Sequence, residues 1–484
     1  MLALSARRRY LILSICCLSL LMVGIDNSAV NVALPSIQRD MSASVSGLQW
    51  TLDAYTLTLA SLFILAGSTG DRFGRHRVFQ AGLATFVAGS ALCGLAADLG
   101  ALVAARALQG IGGAMMNPVA MSIITNTFTD ARERARAIGI WAGVFGLSLA
   151  LGPVTGGLLI GLTGWRAIFW VNVPLGVAAI VLTRLFVPYS KAPKARRFDP
   201  GGQLLVIALL ACITYAIIEA PRAGWLSAQT LGLFAATMAA IGALIPYALR
   251  REEPLINPRF FRSLPFAGAT LIAICGFAAL AGFLLMNTLY LQEALGYSAL
   301  KAGLITLPIA IGSTLVSPLS GRVVAARGPR VPLVAAGTLI AISALMLTGL
   351  RASTPVLYLM AAYAVFGLGF GALNPPITNT AVTGMPHTQA GVAAAVASTS
   401  RQVGQTLGVA VIGSVVTSRI HGSGLHAGLA AASHAGWWIL AGCGLTILAL
   451  GMLTTGRYGT LTAARTAERY AENSPATRTP VSQP

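Results

Sequence analysis

The chain has 484 residues, 56% of them hydrophobic and only 10% charged, with 53 glycines and a formal charge of +19. Soluble proteins carry about 25% charged residues, so a string of soluble domains is excluded and a polytopic membrane protein is implied. A nucleic-acid binder is excluded as well, because it would gather its basic residues on one folded face, and here they fall in short bursts between apolar stretches.

A spanning helix needs roughly 20 mainly apolar residues. By that measure the sequence predicts fourteen, near 10–34, 47–69, 77–96, 99–122, 136–162, 167–187, 201–219, 227–249, 265–291, 300–320, 331–350, 355–377, 390–417 and 434–456. The first follows Arg7-Arg8-Arg9 and imitates a secretory signal. Its apolar run from Tyr10 to Leu34 exceeds a signal core of about 7–15 residues, so it reads as a membrane helix. With the N-terminus in the cytoplasm, 25 of the 33 Lys and Arg fall inside, 6 outside, and Arg106 and Arg401 within helices. That bias obeys the positive-inside rule and puts both termini in the cytoplasm. The six cysteines lie in apolar stretches without metal-ligand spacing and read as packing residues.

Helix 1 contains IDNSAVNVALPSI, which brings Asp26, Asn27 and Asn31 into the membrane. Helix 2 opens with WTLDAY, and its Asp53 is either a proton entry point or a solvated helix-end acid. The segment between helices 2 and 3 reads GSTGDRFGRHR, predicted as a short loop. There Gly67, Gly70 and Gly74 permit a tight turn, while Asp71, Arg72 and Arg75 supply a latch at the cytoplasmic gate. Helix 4 reads ARALQGIGGAMMNP. At helical spacing Arg106, Gly110, Gly113 and Asn117 share one stripe, with Gln109 beside them. A buried arginine is expensive and should face a cavity or a carboxylate. Asp26 lies about 12 Å from the predicted outer end at Leu34, and Arg106 about 10 Å from Leu99, so the two reach similar depth. Such a pair either couples proton movement or locks helices 1 and 4 together.

On helix 5, Ser148, Gly152 and Gly156 form one small face, Gly139, Gly143, Gly146 and Gly157 another, and Pro153 a bend. Trp141 and Phe145 on this helix, and Phe277 and Phe283 on helix 9, are candidate aromatic cavity walls, with Asn27, Asn31 and Gln109 as hydrogen-bonding groups. Arg401 on helix 13 is a candidate for a substrate anion or a gate.

The sequence repeats itself. GIGGAMMNP at Gly110–Pro118 returns as GLGFGALNP at Gly367–Pro375, 257 residues later, with weaker echoes at an offset of 254. Helices 1–6 therefore match helices 9–14, and helices 7–8 are inserted. The expected domains are a six-helix bundle at 1–188, a basic linker with the inserted helices at 189–263, a second six-helix bundle at 264–457, and a disordered tail at 458–484. At the 254 offset Asp26, Asp53 and Asp71 correspond to Leu280, Leu307 and Ala325, so the membrane acids belong to the first half alone.

The GSTGDRFGRHR segment, the ARALQG stripe, GPVTGG on helix 5 and IDNSAVNVALPSI resemble the major facilitator superfamily. Fourteen helices, WTLDAY and SRQVGQTLGVA are similar to its EmrB/QacA-type drug:proton antiporters. The resemblance covers about residues 10–456, departing where Ser148 replaces a frequent glycine and Ala325 the loop acid. It implies an all-α membrane protein of the major facilitator fold, exporting lipophilic drugs or antibiotics across the plasma membrane in exchange for protons. Gly152, Pro153, Gly156 and Gly157 would mark the antiporter helix. No cofactor is implied beyond the proton gradient; the partners are an amphipathic small molecule, protons and the bilayer, with a monomer as the working unit. A narrow exporter of one endogenous metabolite fits the residues equally well. An enzyme does not, because no catalytic set of His, Cys or paired acids and no nucleotide loop is present.

Overall fold

A computed structural model describes residues 5–191, 198–251, 253–351, 353–385, 387–419 and 425–472. Fifteen helices account for nearly all of them: α1 Ala6–Met41, α2 Val45–Phe73, α3 Arg75–Leu95, α4 Leu99–Thr127, α5 Ala131–Thr163, α6 Ala167–Phe186, α7 Pro200–Ala223 and α8 Ala228–Arg250. After a 3-10 turn at Pro258–Arg262 come α9 Leu264–Leu289, α10 Ala299–Arg327, α11 Arg330–Leu347, α12 Val356–Val382, α13 His387–Arg419, α14 Leu425–Thr454 and α15 Arg457–Glu472. No strand occurs among the described residues.

Local chemistry starts many of these helices. Ser44, Asp98, Asp130, Asp199, Ser227 and Ser298 each accept a hydrogen bond from a backbone amide of the first turn, satisfying donors that the helix itself leaves free.

Among the described residues, thirteen helices are long and apolar enough to cross a membrane. The fourteenth expected span, α13, is long enough, but Ser398, Thr399, Ser400, Arg401, Gln402 and Gln405 dilute its hydropathy. It is nonetheless packed between α9 and α2. Its polar groups are thus shielded by protein, the arrangement that polar groups in a membrane require.

The repeat is reproduced in the packing. In the first half α1 packs on α4, α5 and α6, and α4 on α2 and α3, while α3 also meets α6. Advancing every label by eight gives the second half: α9 on α12, α13 and α14, α12 on α10 and α11, and α11 on α14. Two reciprocal seams, α5–α10 and α2–α13, join the halves, and α7 and α8 pair beside them, with α7 touching both α2 and α13.

Three expectations need correction. Helix 1 does not end at Leu34 but runs to Met41 through Pro35, since its last turns cover the chain-reversal ends of neighbouring helices: Asp40 accepts from Trp165 (3.0 Å) and Arg166 (2.6 Å). The expected loop at Gly67–Arg77 is helical up to Phe73 and resumes at Arg75, so only Gly74, at φ 100°, breaks it. The tail is not disordered throughout. Residues 457–472 form α15, whose Gly459, Ala463 and Thr466 are buried one turn apart against the second half. Its buried stripe lies opposite Arg457, Arg465 and Glu468, an amphipathic pattern set in an otherwise polar segment. Residues 473–484, with Arg478, and the linker cations Lys194, Arg196 and Arg197 lie outside the described residues.

Candidate functional site

The interior of the first half holds a fully enclosed polar cluster. Asp26 and Arg106 both have 0% exposure, and Arg106 Nη1 donates to Asp26 Oδ2 at 2.6 Å. The second carboxylate oxygen, Oδ1, accepts from Gln109 Nε2 and Asn172 Nδ2, each at 2.9 Å. Arg106 also donates to Gln109 Oε1 (2.7 Å) and to the carbonyl of Thr51 (3.1 Å). Its Nη2, which has no hydrogen-bond partner, belongs to a guanidinium lying over the Tyr55 ring at 4.3 Å and near Phe169 at 5.8 Å. Ser90 closes the cluster, accepting from Asn172 (3.1 Å) and Gln109 (3.3 Å) and donating to the Phe169 carbonyl.

The cluster thus gathers α1, α2, α3, α4 and α6 around one carboxylate. Charge-assisted hydrogen bonds of this kind are the strong ones, and in a dry interior they hold a charge that would otherwise be prohibitive. The expected pairing of Asp26, Arg106 and Gln109 is present. The depth match on which it was founded is not, because α1 extends seven residues beyond Leu34 and the long arginine side chain covers the remainder. Asn172, Ser90, Thr51 and Tyr55 escaped the sequence reading. Asn172 had a signal, a lone amide within the apolar run WVNVP at the point where α6 breaks after Trp170.

A second locus lies between the halves. A cavity of about 30 Å³ is bounded by Asn27, Ser28, Asn31, Thr56 and Phe145 of the first half and by Leu280, Leu284 and Gln405 of the second. It has room for little more than a water molecule. Of the expected wall residues, Asn27, Asn31 and Phe145 are there; Gln109 instead belongs to the carboxylate cluster. Trp141 packs with the core of the first half near the α2–α3 end. Phe277 and Phe283 are 3% and 0% exposed within the aromatic core of the second half. Arg401 donates to Thr378 Oγ1 at 2.6 Å and lies 6.0 Å from the Phe277 ring, tying α13 to α12.

Asp53 is not a solvated helix-end acid. It has 0% exposure, its Oδ1 accepts only a long bond from Thr56 (3.4 Å), and its Oδ2 has no partner. It sits on the face of α2 that meets α13. One turn away Gln49 donates to the carbonyls of Ala410 (2.9 Å) and Val409 (3.3 Å), and Thr56 meets Thr406 at 3.1 Å.

The GSTGDRFGRHR segment is packed against the following linker. Asp71 accepts from Arg75 at 2.8 Å within its own segment, Arg72 lies 4.8 Å from the Phe198 ring, and the Arg75 amide donates to the Ser190 carbonyl. Gly67 and Gly70 bring α2 against Pro118 and Val119 of α4. On α5 the first small face and part of the second have separate partners, while Gly139 and Gly143 of the second are exposed and meet none among the described residues. Gly152 and Gly156 meet Ser28 and Ala29 of α1; Pro153 and Gly157 meet Gly303 and Leu300 of α10. A methyl group at Gly157 would come within 2.6 Å of the Leu300 backbone, so the α5–α10 seam closes only over glycine.

The chain matches the Major Facilitator Superfamily over residues 16–409. It is 38% identical over 403 residues to "Multidrug resistance protein Stp" of Mycobacterium tuberculosis (strain CDC 1551 / Oshkosh), covering 83% of this chain and 74% of that one. It is 34% identical over 411 residues to "Multidrug efflux pump LfrA" of Mycolicibacterium smegmatis, covering 85% and 81%. The tetracenomycin C resistance and export protein of Streptomyces glaucescens is 36% identical over 401 residues, covering 83% and 74%. Among solved structures, a bacterial homolog of the human lysosomal transporter Spinster, in an inward-facing and unoccupied conformation, superposes with a TM-score of 0.65 at 19% identity over 96% of this chain and 98% of that one. A POT family transporter gives 0.66 at 13% identity over 91% and 94%. Two eight-shifted bundles joined by reciprocal seams, and relatives matched over most of their length, lead to one conclusion: the chain belongs to the Major Facilitator Superfamily of membrane transporters and is not an enzyme.

Proposed function

We propose that the protein is a proton-coupled antiporter of the EmrB/QacA type that exports amphipathic drugs or antibiotics across the plasma membrane by alternating access. Residues 1–188 and 264–457 act as the rocking bundles, 189–263 as the inserted unit, and the basic end faces the cytoplasm. A single chain suffices, and the proton gradient takes the place of a cofactor.

The observation carrying this reading is the enclosed Asp26–Arg106 cluster. A carboxylate is kept in the membrane at high cost, so it marks function by default. The cluster is built to survive protonation: when Asp26 is neutral, Arg106 keeps the Gln109 and Thr51 oxygens as acceptors. Asp26 and the cavity residues Asn27 and Ser28 are neighbours on α1, so a change of bonding on one side of that helix is felt on the other. The cavity is far below the roughly 300–1,000 Å³ of a drug-sized site, so loading requires the halves to move apart. Asp53, on the α2–α13 seam, is the second protonatable group on that route. Each charge crossing the membrane supplies about 2.3 kcal/mol per 100 mV.

The names of the relatives support drugs and antibiotics as the substrate class. Ethidium accumulation tests the reading in cells expressing wild type or Asp26→Asn, with and without an uncoupler. Wild type should lower accumulation until the uncoupler is added, and Asp26→Asn should match cells lacking the protein. Full gradient-driven efflux by Asp26→Asn would remove Asp26 from coupling. An unchanged signal throughout would favour the narrow metabolite exporter.

A further inference from the structure

The three arginines that precede the apolar run of α1 do not share one role. Arg9 pairs with Glu133 and lies 5.9 Å from the Phe128 ring, so α5 neutralises it. Arg7 and Arg8 turn the other way, and among the described residues neither has a carboxylate partner. Arg8 is steered instead by the Phe186 carbonyl, which accepts from both Nε and Nη2 at 3.4 Å. The two guanidiniums border a groove of about 400 Å³ between α1 and α6, lined by Ser5, Arg7, Arg8, Leu11, Leu185 and Phe186.

The groove does not stand alone. Leu185 (64% exposed), Val181 (50%) and Val177 (49%) follow one another at four-residue spacing on the face of α6 that no helix covers. They make an apolar track about 12 Å long that ends at the two arginines. Arg184, also exposed, stands beside its lower end. One end of the site is therefore cationic and the other an unbroken aliphatic strip turned toward the bilayer.

We propose that this groove binds an anionic phospholipid, its phosphate held by Arg7 and Arg8 and an acyl chain lying along Leu185, Val181 and Val177. Arginine guanidiniums match phosphate oxygens as paired donors, and basic pockets between membrane helices are suited to such headgroups. A free phosphate would leave the aliphatic strip unused. A zwitterionic lipid would bring its own cation among Arg7, Arg8 and Arg184 with no carboxylate to receive it, and a cationic drug meets the same repulsion.

The test is native mass spectrometry of protein released from vesicles of phosphatidylcholine containing graded phosphatidylglycerol. Wild type should retain phosphatidylglycerol in preference to phosphatidylcholine. The double variant Arg7→Gln/Arg8→Gln should bind it about 30-fold more weakly, as expected for two interfacial guanidiniums. Leu185→Trp fills the groove while keeping every charge, and therefore the orientation signal, and should also lose the lipid. The control Arg327→Gln/Arg330→Gln, which removes two exposed arginines of the second half, should bind as wild type does. Equal retention of the two lipids by wild type would overturn the proposal. So would undiminished phosphatidylglycerol binding by both groove variants, or displacement of the lipid by millimolar inorganic phosphate.

Discussion

The two halves place opposite chemistry at equivalent positions. Counting 257 residues forward, Arg106 of α4 corresponds to Tyr363 of α12, and Gln109 to Phe366. In the first half these positions surround a carboxylate. In the second, Tyr363 donates a short hydrogen bond to Asn287, and Phe283 stacks on Phe366 at 4.1 Å with Trp437 at 5.4 Å. Phe283, Tyr363, Phe366 and Trp437 are all 0% exposed. The same helix packing thus supports a charged cluster on one side and a neutral aromatic core on the other.

The sharpest break of that comparison moves the acid. Asp26→Asn should abolish gradient-driven efflux. Adding Leu280→Asp to that variant should not restore it, because the position equivalent to Arg106 is Tyr363 and Arg401 of this half is tied to Thr378 on α12. The new carboxylate, at a position now 2% exposed, should further lower the amount of folded protein. Recovered ethidium efflux in the double variant would mean that the halves are interchangeable.

Next in size are the paired positions themselves. Arg106→Met strands a buried carboxylate and should cost about 3–5 kcal/mol together with coupling. Tyr363→Phe leaves one amide oxygen of Asn287 unsatisfied and should cost about 1–3 kcal/mol with coupling intact. Thermal unfolding of purified protein, set beside efflux under an imposed pH gradient, separates the two. Equal loss of coupling in both would end the asymmetry.

Asp53→Asn should act more mildly. It keeps the shape of the α2–α13 seam and removes the titration, so efflux at the optimum should persist while its dependence on external pH flattens. An unchanged pH profile would make Asp53 a packing residue.

The smallest effect lies outside the membrane, at Asp199, which caps α7. Burial pushes this carboxyl up. The amides of Gly202 and Leu255, the Tyr247 hydroxyl and the Arg251 charge outweigh that and hold it below the usual carboxylate range. Its contribution is therefore complete above the unfolded value near pH 3.9 and lost as pH falls through the lowered one. Asp199→Asn keeps an oxygen for the Gly202 amide but turns its own amide nitrogen to the Leu255 N–H, so it should cost about 1 kcal/mol and should make the acid limb of the melting temperature shallower.

Much of this architecture was legible in the residues. The all-helical membrane fold, the repeat and the pairing of Asp26 with Arg106 follow from the cost of charge and bare backbone in lipid, which few sequence patterns satisfy. Other features were not legible. Asn172 and Ser90 are unremarkable letters in apolar runs, and only packing reveals that they complete the carboxylate's bonds. Gln109, Phe277 and Phe283 are equally compatible with a cavity wall and a core, because helical periodicity gives a face but not its neighbour. The amphipathic pattern of α15 is present in the residues, with Arg457, Arg465 and Glu468 opposite Gly459, Ala463 and Thr466, but the polar, proline-dotted segment around it reads as a tail.

The sequence by itself determined that this chain lives in a membrane and that Asp26, Asp53 and Asp71 have no acidic counterpart at the repeated positions, since hydrophobic burial and charge cost act residue by residue. Only the tertiary structure decided which groups share a bond: that Asp26 is sealed by four partner helices, that Asp53 lies in the seam between halves, and that Arg7 and Arg8 part company with Arg9. Those outcomes depend on the rotation and close approach of helices, which glycine-lined contacts such as Gly157 on Leu300 set at distances that no local pattern encodes.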